Sequence, residues 1–203
     1  MASIGSERQR LRLFFGERAE GWETRYPGDT PAYTAAVAAL ETPPGGRALD
    51  AGCGSARALP LLRAAVGPAG EVVGVDLTPE MLREAVRLGR QADGALIEAD
   101  SAQLPLQDRA FDVVFAAGLL HHLPDPAAGL RELARVTRPG GRLALFHPLG
   151  RAALAARRGH RLRTDDVRAR PQLDPLLSAT GWELSLLDDS EERYLAVAVR
   201  QRH

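Results

Sequence analysis

Residues 47–57 constrain the fold more than any other stretch of this chain. The segment reads Arg-Ala-Leu-Asp-Ala-Gly-Cys-Gly-Ser-Ala-Arg, in which a short apolar strand reaches its first charge at Asp50. Gly52 and Gly54 then predict a tight turn, because glycine accepts positive φ and lets another molecule approach the backbone closely. Ser55 is a candidate N-cap for the helical pattern that follows. A strand, a glycine turn and a helix N-terminus together are typical of a nucleotide-type binding site.

The glycine pattern separates two classes of ligand. A dinucleotide fingerprint, G-x-G-x-x-G/A, needs a small residue where this chain has Arg57. The Asp50 carboxylate would also repel a pyrophosphate, whereas it suits a ligand with an amino group and no phosphate, such as S-adenosylmethionine (SAM). The stretch resembles motif I of the class I SAM-dependent methyltransferases, D/E-x-G-x-G-x-G, with Ala56 replacing the last glycine. A nicotinamide-dependent oxidoreductase shares the strand–turn–acid arrangement and remains the alternative.

Length and composition predict one domain over residues 1–203. We expect an N-terminal helical cap at 1–42, a SAM-binding core at 45–147 and a C-terminal segment with a helix and a β-hairpin at 148–203. The formal net charge of +0 predicts no general attraction to nucleic acid or to an anionic membrane. The single cysteine, Cys53, excludes an intramolecular disulfide, and we find neither a signal-peptide core nor a membrane-length apolar run. These features predict a cytoplasmic protein.

Strand and helix patterns alternate along the chain, which predicts a parallel sheet covered by helices on both faces. The predicted parallel strands are one ending at Asp50 and those at 71–76, 95–100, 111–116 and 142–147; the predicted helices are 6–20, 30–40, 57–66, 78–91, 125–137 and 172–180. Strands at 182–187 and 194–199 should pair as an antiparallel hairpin. The resemblance implies an α/β, Rossmann-like doubly wound sheet of seven strands, mostly parallel, whose last strand is antiparallel.

Acidic residues follow the second and third strands, where ligands of such sheets bind. Asp76 comes 22 residues after Gly54, and a carboxylate there can accept both ribose hydroxyls. The resemblance implies that Asp100 contacts the adenine amino group, that the backbone of Ser101 reads a ring nitrogen and that Leu77 packs on the adenine face. Acids that cap a turn or face water are the alternative interpretation.

The glycine turn is assigned to the methionine tail of SAM. Asp50 is expected to bind the amino group, directly or through water, while Gly52 and Gly54 let the tail lie against the backbone. Ala51 and Cys53 complete this predicted contact surface. A helix N-terminus can lower a thiol pKa, but we interpret Cys53 as a small filler residue and not as a nucleophile.

Residues 111–125 resemble motif IV and the following loop of small-molecule methyltransferases, of the kind with a methyltransferase 11- or 25-like domain. Ala116 and Ala117 at the end of this strand are assigned to the cofactor site. The segment lacks the N/D/S-P-P-Y/F pattern with which related enzymes hold an amide-like nitrogen, which disfavours methylation of adenine N6 or of glutamine. With the pattern at 133–141, the resemblance covers roughly 45–145.

Three histidines are candidate bases near the predicted methyl group: His121, His122 and His147, of which His121 and His147 are the assigned catalytic residues. Histidine titrates near neutral pH and can take a proton from a hydroxyl or an amine. Loop packing is the alternative, since an in-line displacement at a sulfonium can proceed by proximity and orientation without a base.

Two segments outside the core carry further predictions. Trp22, Arg25 and Tyr26 resemble N-terminal lid residues that touch the SAM tail, with an N-terminal helix simply packed on the sheet as the alternative. The arginines of 151–170 suit an anionic substrate or a solvated surface.

The sequence therefore predicts transfer of a methyl group from SAM to O, N or C of a small metabolite, with S-adenosylhomocysteine (SAH) as the product and no metal. The expected partner is a small-molecule acceptor, not nucleic acid or a membrane, and the expected assembly is a monomer or homodimer. A non-catalytic SAM- or SAH-binding protein remains an alternative.

Overall fold

A computed structural model describes residues 4–25 and 28–202, and seven of its strands form one sheet. The strands are β1 (Arg47–Ala51), β2 (Glu71–Asp76), β3 (Ala95–Glu98), β4 (Phe111–Ala117), β5 (Thr137–His147), β6 (Trp182–Asp189) and β7 (Tyr194–Arg200). The α-helices are α1 (Ile4–Gly16), α2 (Thr30–Ala38), α3 (Leu59–Val66), α4 (Pro79–Arg87), α5 (Pro126–Val136), α6 (Arg151–Arg157) and α7 (Arg170–Ala179).

The strand order is β3-β2-β1-β4-β5-β7-β6. Strands β1 to β5 pair in parallel, β7 runs antiparallel to β5, and β6 pairs antiparallel with β7. The predicted fold class is therefore confirmed, including the antiparallel last strand and the C-terminal hairpin. The order changes direction between β1 and β4, which is where ligands of doubly wound sheets bind.

Successive residues of β4 contribute to two different hydrophobic clusters. Val113 and Phe115 belong to the cluster that α2 and α3 cover, whereas Val114 and Ala116 belong to the cluster that α5 and α7 cover. Because neighbouring side chains of a strand point to opposite faces, the sheet has a core on each side. This arrangement explains why the strands read as continuous apolar runs.

The turn after β1 differs from its prediction. The helix α3 begins at Leu59, two residues later than expected, and its N-cap is Ala58, which makes no side-chain capping bond. Ser55 is therefore not the N-cap; its hydroxyl donates to Glu23 Oε1 at 3.1 Å. The cause is Pro60 in the first helical turn, together with Ala56, whose φ of 59° continues the left-handed turn.

Several other boundaries differ from the predictions. Helix α1 ends at Gly16 and not at residue 20, and α4 ends at Arg87 and not at residue 91. Strand β3 ends at Glu98, two residues before Asp100, and β5 begins at Thr137, so the turn predicted at 139–141 is an irregular part of the strand with Gly140 at φ 80°. Helix α6 lies in a segment for which no helix was predicted. Its sequence, Arg-Ala-Ala-Leu-Ala-Ala-Arg, favours a helix by propensity and was the missed signal.

Within residues 4–25 and 28–202, none of the helices combines the length and the apolar character that crossing a bilayer requires.

Candidate active site

One cavity of about 640 Å³ opens at the carboxyl ends of the parallel strands. Its volume suits a cofactor together with a small acceptor, since ligand pockets range over roughly 300–1,000 Å³. Ten of the residues that the sequence assigned to the site line it: Trp22, Gly52, Gly54, Asp76, Leu77, Asp100, Ser101, Ala117, His121 and His147. The fold thus brings together residues from strand ends that are distant in the chain.

Four assigned residues do not line this cavity: Asp50, Ala51, Cys53 and Ala116. Asp50 is 1% exposed, and its Oδ1 has no hydrogen-bond partner among the described residues. Burial, and secondly the charge of Asp76, raises the pKa of Asp50 to about 8. Asp50 is therefore mostly protonated at neutral pH, and its contact with an amino group remains a prediction.

The glycine turn has the backbone geometry that the sequence predicted. Gly52 and Gly54 have φ of 69° and 56°, and the Cys53 N–H donates to the Val75 carbonyl at 2.9 Å, which ties the turn to β2. A Cβ at Gly52 would lie 3.0 Å from Leu119 Cδ1, so a side chain there would crowd this edge of the cavity.

Cys53 does not lie at a helix N-terminus, because α3 begins only at Leu59. Burial, followed by the charges of Asp50 and Asp76, raises the pKa of its thiol. A protonated thiol is a poor nucleophile, which supports the interpretation of Cys53 as a filler residue.

Asp76 is held in place by two backbone donors. Its Oδ2 accepts the N–H of Gly54 and its Oδ1 accepts the N–H of Thr78, both at 2.8 Å. Burial raises the pKa of Asp76, and these two hydrogen bonds oppose the rise. Each carboxylate oxygen retains acceptor capacity, so this rigid acid can accept further hydrogen bonds from a ligand in the cavity.

Asp100 joins the cavity to helix α1. Its Oδ1 accepts the N–H of Ala102 at 2.8 Å, while its Oδ2 lies 2.6 Å from Arg8 Nε in an ion pair. A second ion pair, Arg12 to Glu98 at 2.8 Å, holds the same helix against the end of β3. Arg8 was not predicted as a site residue, because it belongs to no motif.

The segment after α1 also reaches the cavity. Trp22 lines it and packs edge-on against Phe15 with ring centroids 5.8 Å apart. The next residue, Glu23, bonds Arg90 at 3.1 Å and accepts from Ser55, which fastens the segment to the glycine turn. Tyr26 and the side chain of Arg25 lie outside the described residues, so the lid role remains a prediction.

The three candidate histidines gather at the other end of the cavity. The ring centroids of His121 and His122 are 4.1 Å apart, and those of His121 and His147 are 6.3 Å apart. Burial, followed by neighbouring histidine and arginine charges, lowers the pKa of His121 to about 2. Burial also lowers the pKa values of His122 and His147 to about 4. All three rings are therefore neutral at pH 7 and are weak proton acceptors.

His147 offers two tautomers to the cavity. Its Nδ1 lies 3.0 Å from the Leu149 nitrogen and 2.9 Å from the Leu149 oxygen. If Nδ1 accepts the N–H of Leu149, Nε2 carries the ring proton and acts as a donor. If Nδ1–H donates to the carbonyl, Nε2 is free to accept a proton. Whether His147 can accept a proton at Nε2 therefore depends on whether its Nδ1 bonds the N–H or the carbonyl of Leu149.

The predicted arginine cluster at 151–170 divides into two groups. Several of its members form ion pairs and do not line the cavity, among them Arg151 with Asp189 and Arg168 with Asp166, both at 2.8 Å. Arg157 and Arg158, at the end of α6, line the cavity instead. The part of the cluster that can meet a ligand is therefore this end of α6.

Comparison with known proteins agrees with this geometry. A family of proteins described as a methyltransferase domain matches residues 49–145. The 27-O-demethylrifamycin SV methyltransferase of Amycolatopsis mediterranei is 41% identical over 105 residues, which are 50% of this chain and 38% of that protein. The demethylmenaquinone methyltransferase of Geobacillus kaustophilus is 41% identical over 100 residues, which are 48% of this chain and 43% of that protein. The chain thus spans less than half the length of these curated relatives.

A solved structure shows the same fold over nearly the whole chain. The magnesium protoporphyrin IX methyltransferase of Synechocystis PCC 6803 with bound SAM superposes with a TM-score of 0.72 over 96% of this chain and 97% of that one, at 20% identity. Its likeness covers the sheet, whereas the family match covers the glycine turn and the strand ends that form the cavity. This match, over just under half of the chain, and this fold both agree with the resemblance to class I SAM-dependent methyltransferases that the sequence motifs carry.

Proposed function

We propose that this protein binds SAM and transfers its methyl group to O, N or C of a small-molecule acceptor, with release of SAH. The observation that carries the proposal is that the glycine turn, Asp76 and Asp100 meet the histidines in one cavity. The names of the relatives, which include a rifamycin and a menaquinone methyltransferase, support a small-molecule acceptor.

The acidic half of the cavity suits the adenosine part of SAM. Asp76 has lone pairs for two ribose hydroxyls, and its position is already fixed by Gly54 and Thr78. Leu77 lies beside Asp76 and offers an apolar surface to the purine. Asp100 would accept the adenine amino group while it shares its charge with Arg8.

The histidine half suits an acceptor. SAM supplies a methyl group that is bonded to a positively charged sulfur. When the methyl group is transferred, the sulfur leaves as the neutral thioether of SAH, which needs no metal ion. His121 and His147 are neutral at pH 7, so they orient an acceptor by hydrogen bonds, and Nε2 of His147 takes a proton when Nδ1–H donates to Leu149. Their low pKa values make orientation the larger contribution, because a general base works best with a pKa near the operating pH.

Calorimetry with SAM, followed by an assay of SAH release over a panel of phenols, amines and enols, tests this proposal. We expect micromolar binding of SAM, no binding of NADH, and SAH release with at least one acceptor. Absence of SAM binding would contradict the cofactor site. Binding without release would instead favour the non-catalytic alternative, in which the histidines only line the cavity.

A further inference from the structure

We propose that the methyl acceptor is a small amphipathic acid whose carboxylate binds at Arg158. This inference rests on the proposed function and deepens it by naming the chemical class of the acceptor. The proposed carboxylate site lies at the end of the cavity opposite Asp76 and Asp100.

The walls at this end are largely apolar. Phe14 and Phe15 of α1 line the cavity, and so do Leu149 and Leu154. Phe15 also packs edge-on against His122, with ring centroids 5.1 Å apart. Such walls bury the body of an apolar molecule and disfavour a fully polar metabolite.

The positive charges of the cavity are not equally balanced. Among the residues that the structure describes, four arginines line it. Three of these interact with a carboxylate: Arg8 with Asp100 at 2.6 Å, Arg18 with Glu17 at 3.3 Å, and Arg157 with Asp29 through its charge. For the fourth, Arg158, no ion pair or side-chain hydrogen bond is present within residues 4–25 and 28–202. Arg158 is thus an uncompensated cation at the edge of an apolar space.

The groups around Arg158 do not neutralise its charge. The charge acts on His121, His122 and His147, all of which it helps to keep neutral. The nearby Arg168 is already paired with Asp166 at 2.8 Å. A carboxylate brought to Arg158 would therefore form charge-assisted hydrogen bonds and would meet polar but uncharged imidazoles.

The two ends of the cavity also set the direction of such an acceptor. Asp76 and Asp100 would repel an acid at the cofactor end, whereas Arg158 attracts it at the other end. The apolar body then spans the space between them and brings the opposite end of the acceptor toward the cofactor. A neutral acceptor would gain nothing from Arg158, which would remain solvated.

Paired ligands that differ only in charge test this inference. We would measure binding of 4-hydroxybenzoate, 4-hydroxycinnamate and indole-3-acetate, each beside its primary amide, by NMR titration of the wild-type protein with saturating SAH. Arg158→Gln removes the proposed contact. Arg161→Gln is the matched control, because Arg161 is exposed and lies outside the cavity.

We expect at least one acid to bind about tenfold more tightly than its amide, as one charge-assisted contact predicts. Arg158→Gln should abolish that preference, and Arg161→Gln should keep it. When the histidine ring signals are followed over a range of pH, the bound acid should raise the pKa of one or more cavity histidines, while the amide should not.

Equal binding of acids and amides by the wild-type protein would overturn the inference. It would also be overturned if Arg158→Gln and Arg161→Gln lost the preference for the acid to the same extent. Failure of SAH itself to bind would instead contradict the proposed function. In that case the acid preference is measured without SAH, so the two failures remain distinguishable.

Discussion

The two ends of the cavity are built in different ways. At the acidic end, Asp76 is fixed by N–H groups of Gly54 and Thr78, which belong to the turns that follow β1 and β2. At the basic end, His121, His147 and Arg158 come from the loop after β4, the end of β5 and the end of α6. Strand ends and their turns thus position the acidic end, whereas the packing of separate segments positions the basic end.

Burial shifts the pKa values at the two ends in opposite directions. It raises the pKa values of Asp50 and Asp76 and lowers those of the histidines, because it disfavours whichever form is charged. Asp76 receives backbone donors that favour its charged form, whereas the charges of Arg158 and Arg168 disfavour the charged form of His121. Burial therefore favours the neutral form at both ends, and Asp76 differs in having two backbone N–H donors that favour its charged form.

The largest effect should follow from changing the acid at the cofactor end. Asp76→Asn removes the charge and one acceptor, so we expect the dissociation constant for SAM to rise about 100-fold, as the loss of two charge-assisted hydrogen bonds predicts. Calorimetry measures this change. Asp93→Asn is the control, since Asp93 lies outside the cavity. A change of less than about threefold at Asp76 would break the assignment of the two ends.

The histidine end should make stability depend on pH. The folded-state pKa values of about 2 and 4 lie below the ordinary value of 6.5, so the neutral rings stabilise the fold fully above pH 6.5, and this contribution is lost as the pH falls. Each histidine contributes at most about 1.4 kcal/mol per pH unit to the loss. Urea unfolding between pH 7 and pH 5 measures it.

Replacing one histidine should flatten that dependence. Between pH 7 and pH 5, the free energy of unfolding should fall less for His122→Asn than for the exposed control His160→Asn. The contribution of Asp50 to the free energy of unfolding depends on pH in the opposite direction. Its folded pKa of about 8 lies above the ordinary 3.8, so this contribution is complete below pH 3.8 and is lost as the pH rises to 8. Equal slopes for His122→Asn and the wild-type protein would show that this ring is not buried as the structure has it.

The smallest effect concerns the glycine turn itself. Ala56 has φ of 59° and is 0% exposed, so Ala56→Gly relieves about 1–2 kcal/mol of left-handed strain. The same change lowers the free energy of unfolding in two ways. It loses about 0.8 kcal/mol because a buried methyl group is removed, and about 0.4–1 kcal/mol because glycine gives the unfolded chain more conformational freedom. We therefore expect the free energy of unfolding to change by less than about 1 kcal/mol.

A matched control lies two residues away. Ala58 is 1% exposed but has φ of −78°, so Ala58→Gly carries the same two costs with no strain to relieve. It should destabilise the protein by about 1.5 kcal/mol in the same denaturation experiment. If both variants lose equally, the turn at Ala56 is not strained.

Prediction from the sequence succeeded where a short local pattern determines the geometry. The glycine turn and Asp76 were found because the residues that fix them lie within a strand and the turn that follows it. Prediction failed at Ser55, whose neighbouring sequence resembles a cap, because Pro60 and the left-handed Ala56 delay the helix. It also missed Arg8 and helix α6, since neither belongs to a motif.

The sequence by itself determined the alternation of strands and helices, the glycine turn and the acids at the strand ends, because these depend on periodicity and on backbone preferences of single residues. Only the tertiary structure decided that Asp50 is buried without a partner for its Oδ1 among the described residues, that Arg8 pairs with Asp100, and that the charge of Arg158 acts on neutral histidines. These properties depend on desolvation and on charges brought together from distant segments, and no local pattern encodes such distances.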